Sequence, residues 1–175
     1  MKKLLLLLLV LPFLAFSQTT KNCVTLQHKG YTSVYDTTLD YPVMVSWVDV
    51  RNRVQCSNQI PRKDCFAPDP KEVKQTTLQS AYDAINKTHK AKGQAGVDRG
   101  HMCPAADNQC DKTELVECFY FSNMAAQYHS LNAGDWKKKE VMTRELSIQY
   151  DSVYVWCGSV GCRSEEHTSE LQSHW

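Results

Sequence analysis

The chain has 175 residues, with 20 Lys and Arg against 19 Asp and Glu, and its formal net charge at pH 7 is +1. This length suits a single domain. The balanced charge excludes a globally basic nucleic-acid-binding protein, so a polyanionic partner would have to be held by local clusters of basic residues.

The N-terminus has the pattern of a signal peptide. Two lysines precede an unbroken apolar run from Leu4 to Phe16, and the small residues Ala15 and Ser17 suit a cleavage site. A membrane anchor is the alternative, but the run is shorter than the ~20 apolar residues of a spanning helix. We expect residues 1–17 to be removed, leaving a secreted or periplasmic protein with no membrane attachment.

The C-terminal stretch differs in character from the rest of the chain. Arg163 to His174 (RSEEHTSELQSH) resembles the translation of a common sequencing adapter and has no apolar period. An ordinary polar tail is the alternative. We expect residues 163–175 to be foreign and residues 18–162 to be a native domain that continues beyond Cys162. The activity of a chain ending there is not determined by its sequence.

All eight cysteines fall between residues 23 and 162. In an exported chain their default state is the disulfide, although the pairing cannot be derived from sequence. A zinc site built from His101, Cys103, Cys110 and Cys118 is the alternative, but their spacing lacks the paired C-x-x-C of common zinc sites. The cysteines are Cys23, Cys56, Cys65, Cys103, Cys110, Cys118, Cys157 and Cys162.

Hydrophobic patterns predict the elements of the first half. Residues 43–50 alternate like a strand that begins at Pro42, and residues 51–74 have the composition of a loop. The spacing of Leu78, Tyr82 and Ile85 predicts a helix over residues 76–87. The following residues, up to Gly96, are basic and lose this pattern.

The second half adds further elements. We predict an extended segment at 97–102, a short helical turn at 113–116, a buried aromatic strand at 118–121, a helix from 132–135 to about 150, and a strand at 153–157. Asp135 is the predicted N-cap of the helix. Strands mixed with a few helices indicate an α+β fold.

The sequence Asp98–His101 brings together groups suited to phosphodiester hydrolysis. In a strand, Arg99 and His101 share one face and Asp98 points to the other, while Gly100 allows a close approach. The imidazole can take a proton from water near neutral pH, and the guanidinium can hold a phosphate oxygen. The alternative is an exposed, salt-bridged arginine beside a buried structural histidine.

Residues 132–144 supply oxygen ligands. In one continuous helix, Asn132 and Glu140 share a broad face, and Glu140 and Arg144 are spaced to pair directly. An amide oxygen, with a carboxylate holding metal-bound waters, would suit Mg²⁺. The alternatives are a helix-capping asparagine and a surface ion pair.

Three motifs in order, DRGHMCPAAD, FYFSNMAAQ and LNAGDWKKKE, resemble the DNA/RNA non-specific endonuclease family of the ββα-metal type. The resemblance runs from about residue 42 to residue 160. It implies an α+β fold with a ββα-metal core and a mixed or antiparallel sheet flanked by helices, incomplete at the C-terminus. The strand at 153–157 would then expose an edge.

The resemblance implies roles for individual residues. His101 matches the general base, Arg99 the arginine that steadies the phosphate, Asn132 the ligand of Mg²⁺ or a similar ion such as Mn²⁺, and Glu140 the acid that orders the metal's waters. Less specific matches are Asn123, which would support the histidine or substrate, Arg144 on the phosphate side, Gln127 with an undefined motif role, and Arg62 upstream. Asp98 is expected to be structural.

The implied function is a secreted endonuclease that hydrolyses DNA and RNA through contacts to the phosphate backbone, which carry no sequence information. Lysines at 87, 90, 92 and 137–139 could line its groove. The alternatives are a catalytically inactive nucleic-acid-binding relative and a disulfide-rich secreted module. The sequence leaves open the preference between DNA and RNA, and the oligomeric state.

Overall fold

The computed structural model describes residues 22–71 and 78–159. The expected signal peptide, the expected foreign tail and Cys162 lie outside this part. No helix in the described ranges is long and apolar enough to cross a membrane.

Four antiparallel strands form the main sheet. In chain order they are β1 (Cys23–Gln27), β2 (Thr32–Asp36), β3 (Tyr41–Val50) and β6 (Ser152–Gly158), and this is also their order across the sheet. Alternation along β3 and β6 buries Val45, Trp47 and Val155 on one face and leaves Tyr154 and Trp156 exposed on the other. The predicted strands at 43–50 and 153–157 are confirmed.

A separate two-stranded antiparallel ribbon carries the DRGH motif. It consists of β4 (Val97–His101) and β5 (Met124–Tyr128), with His101 opposite Met124. The helices are α1 (Arg51–Val54), α2 (Leu78–Ala91), α3 (Lys112–Glu117) and α4 (Lys137–Tyr150). The extended segment at 97–102 and the helical turn at 113–116 are therefore confirmed, and the fold class is α+β as expected.

Helix α2 continues to Ala91, beyond the predicted end at residue 87. The basic residues after Lys87 lack an apolar period, but Lys and Ala are good helix formers. Gly93 ends the helix in a left-handed conformation, with φ +67°, and its N–H donates to the carbonyl oxygen of Lys90.

The predicted aromatic strand at 118–121 is wrong. The N–H groups of Cys118, Phe119 and Tyr120 donate to carbonyl oxygens in or next to α3, so the chain continues as turns. Residues Phe121–Asn123 form a 3-10 turn. The near-complete burial of Cys118 and Phe119 explains why this stretch resembles a buried strand in sequence.

The helix predicted to run from residues 132–135 to about residue 150 is confirmed from Lys137 to Tyr150, as α4, but its predicted start is not. Residues Leu131–Trp136 form a π-helical turn that Gly134 interrupts with φ −101° and ψ −108°, and α4 starts only at Lys137. Asp135 does not cap this helix, because its carboxylate lies at the surface and accepts from Lys138 Nζ at 2.9 Å. Glycine permits the unusual backbone that separates the two segments.

The largest core cluster lies between the main sheet and the ribbon. It contains Val45, Trp47, Met102, Trp136 and Val155, together with neighbouring buried residues. Trp136 also donates its indole N–H to the carbonyl oxygen of His101 at 3.0 Å, which ties the start of α4 to the end of β4. The core therefore fixes the position of the histidine backbone.

Among the described cysteines, one pair forms a disulfide and five are free thiols. Cys56 and Cys110 form a disulfide, so Cys110 is unavailable to the zinc site considered from sequence. Within residues 22–71 and 78–159, no group of three His, Cys, Asp or Glu side chains could hold a metal ion by itself.

Candidate active site

The imidazole ring of His101 lies in an aromatic pocket. Its centroid is 5.8 Å from that of Phe66 and 4.8 Å from that of Phe119, and the residue is 7% exposed. Its Nε2 is buried without a hydrogen-bond partner in the described part of the chain. Burial, helped by the positive charges of Arg62 and Arg99, lowers the pKa of His101 to about 3. At neutral pH the ring is therefore uncharged, and a nearby negative charge would be needed to make it a stronger base.

Arg99 projects to the same side of β4 as His101, as the strand alternation predicts. Its guanidinium carbon lies 4.0 Å from the ring centroid of Phe66, and Nη1 donates to Gln79 Oε1 at 2.6 Å. Phe66 thus contacts both the imidazole and the guanidinium. The π-face of Phe66 and the Gln79 carbonyl orient a cation that can bind an anionic group.

A polar cleft of about 380 Å³ opens beside Arg99. One face of α2 lines it, because Gln79, Tyr82, Asp83 and Asn86 recur at helical spacing. The opposite wall includes Arg62, Phe66, Asp98, Arg99 and Asn132. The predicted metal ligand and the predicted phosphate-binding arginine therefore line the same cleft.

Asp98 belongs to this cleft, although its place on the other face of β4 indicated a purely structural role. Its Oδ2 accepts from Asn132 Nδ2 at 2.9 Å and lies 2.9 Å from His129 Nδ1. Because the amide nitrogen of Asn132 is bound to Asp98, the amide oxygen is the atom that could coordinate a cation. Asp98 therefore orients the candidate ligand.

The chemistry of this donor set fits a hard divalent cation. The amide oxygen of Asn132 and the adjacent carboxylate of Asp98 are oxygen donors, which Mg²⁺ prefers. These two side chains supply only a few oxygen ligands. Mg²⁺ typically keeps several waters where the protein offers few ligands. The residues present are thus compatible with a largely hydrated ion.

Glu140 occupies a different environment from Asn132. It lies in the first turn of α4, half-buried, and lines a small apolar cavity with Trp136, Met102 and Pro104. Burial raises the pKa of Glu140, while Arg144 lowers it by a smaller effect. The helical-face argument that paired Glu140 with Asn132 assumed a continuous helix, and the break at Gly134 removes that assumption.

Arg144 does not make the direct ion pair with Glu140 that its spacing predicts. Its Nη1 donates instead to Asp107 Oδ1 at 2.7 Å. Asp107 is fully buried, and burial followed by the nearby Asp49 carboxyl raises the pKa of this acid. The buried Asp107 carboxyl accepts this hydrogen bond, so Arg144 has a structural partner in addition to its expected phosphate role.

Asn123 supports the segment after His101 rather than contacting the imidazole. Its Oδ1 accepts from the Cys103 N–H at 2.8 Å, and Nδ2 donates to the carbonyl oxygens of Cys103 and Cys118. Its own carbonyl oxygen accepts from the Met102 N–H. Three of these bonds hold the chain on the C-terminal side of the histidine, and the fourth ties Asn123 to the turn after α3.

Gln127 packs across the ribbon against Gly100. A Cβ atom at residue 100 would lie 2.3 Å from the Gln127 side chain, so glycine is required for this contact. The close approach expected at Gly100 is therefore made by a side chain of β5. Gln127 is almost fully buried, and its Oε1 has no hydrogen-bond partner among the described residues.

Phe66 and Gln79 are site residues that sequence reasoning missed, and Arg62 was only weakly indicated. Phe66 and Arg62 come from a loop, and Gln79 from α2, well before the DRGH motif. No local spacing connects them to Arg99 or His101, so only the tertiary fold identifies them. Arg62 lies with its guanidinium carbon 5.5 Å from the Phe119 ring centroid.

Comparison with known proteins gives a family match over residues 12–174, to the DNA/RNA non-specific endonuclease model. Mitochondrial nuclease EXOG of Xenopus laevis is 31% identical over 133 residues, covering 75% of this chain and 34% of that protein. Human mitochondrial endonuclease G is 34% identical over 80 residues, covering 43% of this chain and 27% of that protein. The chain thus spans about a third or less of these relatives.

The structural comparison agrees at the level of the fold. A crystal structure of an EndoG/EndoGI complex matches with a TM-score of 0.64 and 24% identity, covering 86% of this chain and 58% of that one. This confirms the ββα-metal type of fold that the motifs implied. With the match over residues 12–174, the chain belongs to the DNA/RNA non-specific endonuclease family.

Proposed function

We propose that this protein is a divalent-metal-dependent endonuclease that hydrolyses phosphodiester bonds of DNA and RNA. One observation supports this most: His101 Nε2 has no hydrogen-bond partner among the described residues, and the ring lies against Phe66, which also contacts Arg99 at the wall of the cleft. A base beside a cation is the arrangement that water-mediated cleavage of a phosphate diester needs.

His101 is the group that takes a proton from the attacking water. Its low pKa keeps it unprotonated before reaction, and the negative charge of a bound phosphate would raise that pKa towards neutrality. Arg99 donates to a phosphate oxygen and stabilises the negative charge that grows as water attacks phosphorus. Phe66 and Gln79 hold the guanidinium in place for this contact.

Asn132 would hold Mg²⁺ or Mn²⁺ through its amide oxygen, with Asp98 fixing the amide. Glu140 lines a separate apolar cavity, so its role in ordering the ion's waters is implied by the motif resemblance alone. A bound divalent ion supplies positive charge for the phosphate and the leaving oxygen. The expected support from Asn123 acts through the backbone of Cys103. Arg144 and Gln127 are secondary candidates for substrate contact, since both have partners or packing inside the protein.

Contact with the backbone of nucleic acid explains why both DNA and RNA would be substrates. Phosphate contacts carry no sequence information. Lys90 extends the cleft-lining face of α2 by one turn beyond Asn86 and is exposed. Lys87 and Lys92 lie close by in sequence and could add to a basic approach surface.

We infer export from the signal-peptide pattern of residues 1–17, which lie outside the described part. The EXOG and endonuclease G relatives are mitochondrial proteins by name. Detection of the mature protein outside the cytoplasm, with an N-terminus at Gln18, would test this inference.

Digestion of plasmid DNA and of a structured RNA, with and without Mg²⁺, tests the activity. We expect cleavage of both substrates that a chelator abolishes and that excess Mg²⁺ restores. Tight binding without cleavage would instead support an inactive nucleic-acid-binding relative. Neither binding nor a response to Mg²⁺ would support a disulfide-rich module.

A further inference from the structure

The loop that carries Phe66 runs alongside the turn after α3. Ala67 forms a parallel bridge with Tyr120. The Ala67 N–H donates to the Phe119 carbonyl at 3.3 Å, and the Phe121 N–H donates to the Ala67 carbonyl at 3.0 Å. The two segments therefore travel side by side in the same direction.

Side-chain contacts continue this pairing towards the N-terminus of both segments. The Phe66 ring meets the Phe119 ring edge-on with centroids 5.1 Å apart. The Arg62 guanidinium lies 5.5 Å from the same ring. Between these contacts lies Cys65, and the residue before Phe119 is Cys118. The order of the paired residues brings the two cysteines together.

Both cysteines are free thiols with different access to solvent. Cys65 is exposed, whereas Cys118 is buried and donates its S–H to the Leu115 carbonyl at 3.1 Å. Burial, and next the neighbouring Cys65 thiol, raises the pKa of Cys118 well above its ordinary value. The two thiols are therefore close enough to interact electrostatically.

We propose that Cys65 and Cys118 form a second disulfide, in addition to Cys56–Cys110, when the protein meets an oxidising environment. Ala67 and Tyr120 are parallel bridge partners, and Cys65 and Cys118 each lie two residues before them, so the pairing places the two cysteines side by side. A disulfide needs Cα atoms about 4.4–6.8 Å apart, so neighbouring segments bring the cysteines within reach. The bond would join the loop bearing Arg62 and Phe66 to the turn bearing Phe119.

The oxidant is a small-molecule disulfide such as oxidised glutathione. Cys65 reacts first because it is exposed: its thiolate attacks the oxidant, forms a mixed disulfide and releases one thiol. The Cys118 thiolate then attacks the Cys65 sulfur and releases the second thiol. The two protons lost by the cysteines appear on the released thiols, and the two electrons reduce the oxidant's S–S bond.

Cys103 is the competing partner for Cys118. The Asn123 amide donates to the carbonyl oxygens of both residues, so their backbones are close. Cys103 is fully buried, however, and a soluble oxidant cannot reach it in the folded protein. Access therefore selects Cys65 as the initiating thiol.

Peptide mapping of the full chain tests the assignment. The protein is equilibrated with a glutathione redox buffer, its remaining thiols are alkylated, and it is cut with trypsin without reduction. The Cys56–Cys110 bond joins peptides 54–62 and 100–112, while the proposed bond joins 64–71 to 113–137. We expect both pairs. Alkylated Cys65, Cys65 joined to another cysteine, or a Cys103–Cys118 link would overturn the proposal.

Thermal unfolding of matched variants provides a second readout. Closing this loop should raise Tm by about 5–10 °C in oxidising buffer relative to reducing buffer, beyond the contribution of Cys56–Cys110. Cys65→Ser should lose that increment, and Cys23→Ser, which changes another free cysteine away from this pair, should keep it. Equal Tm values for Cys65→Ser and the parent chain under oxidation would contradict the bond.

Discussion

Asn132 donates its side-chain amide to the Asp98 carboxylate, with 2.9 Å between Nδ2 and Oδ2. This bond joins the DRGH strand to the π-helical turn before α4, two parts of the chain that sequence reasoning treated separately. It also selects the amide oxygen of Asn132 as the atom presented to a cation. Partners of this kind commonly control both the orientation and the affinity of a metal ligand.

Asp98→Asn is expected to weaken the use of Mg²⁺. The substitution removes the charged acceptor that fixes the Asn132 amide, and loss of such a supporting partner typically costs about 10–100-fold in metal affinity. The measurement is nuclease rate against Mg²⁺ concentration. His129→Ala is the matched control, because this mostly exposed histidine binds the same oxygen and should matter much less. Equal Mg²⁺ curves for Asp98→Asn and the parent would argue against the role of Asp98.

Phe66→Leu is expected to lower kcat/KM by about 3–10-fold, because it removes the aromatic face beneath the Arg99 guanidinium and a contact of the His101 ring. Phe66→Tyr keeps the ring and should stay near the parent value. Steady-state cleavage of a short fluorescent oligonucleotide gives the comparison. A leucine variant as active as the tyrosine variant would mean that the ring does not position either group.

We expect the protein to lose stability in acid, because the buried Asp69 carboxylate becomes protonated. Burial raises its pKa, but hydrogen bonds from His28, Ser122 and the Lys71 N–H outweigh burial and hold the pKa below its ordinary value. A carboxyl with a lowered folded pKa stabilises the protein above its unfolded pKa, near 3.9, and loses that contribution as pH falls through the folded value.

Urea unfolding between pH 7 and pH 2 measures this effect. Asp69→Asn should lower the free energy of unfolding at pH 7 by about 1–3 kcal/mol. It should also flatten the decline of stability below pH 4, since the titrating group is gone. Parallel acid profiles for the variant and the parent would contradict the assignment.

Arg144→Met is expected to destabilise the fold by about 1–3 kcal/mol, because it leaves the Asp107 carboxyl buried without its guanidinium hydrogen-bond partner. The pKa of Asp107 is raised, so the folded state holds a proton that the unfolded state loses, and stability falls as pH rises above the unfolded pKa. This fall should continue to higher pH in Arg144→Met, because Arg144 lowers the pKa of Asp107.

Adding Asp107→Asn to Arg144→Met should recover part of the stability, which urea unfolding at pH 6 and pH 8 would show. If Arg144→Met keeps its stability and loses only substrate affinity, then its phosphate role outweighs the ion pair with Asp107.

The strands and the juxtaposition of Arg99 and His101 were predictable because local patterns determine them. Alternation in β3, β4 and β6 follows from burial of one face, and it correctly places Arg99 and His101 together. Failures occurred where a tertiary contact overrides the local pattern. Cys118 and Phe119 are buried like strand residues, yet their backbone continues the turn of α3.

The site itself was only partly predictable for the same reason. The chain leaves helical geometry at Gly134. Asn132 and Glu140 therefore do not belong to one helix, and their sequence spacing does not place them on a shared face. The partner of Arg144 is Asp107, a buried acid 37 residues away, rather than the acid one turn before it. Phe66 likewise reaches the site through a loop that has no periodic signal.

The most direct test of the central claim is the single-turnover cleavage rate of His101→Ala in saturating Mg²⁺, beside the parent chain. His101→Ala should fold, as judged by an unchanged circular dichroism spectrum, and should cut at least about 100-fold more slowly, since general-base catalysis contributes ~10²–10⁴-fold. A folded His101→Ala protein that cleaves DNA and RNA at the parent rate would contradict the assignment of His101 as the base.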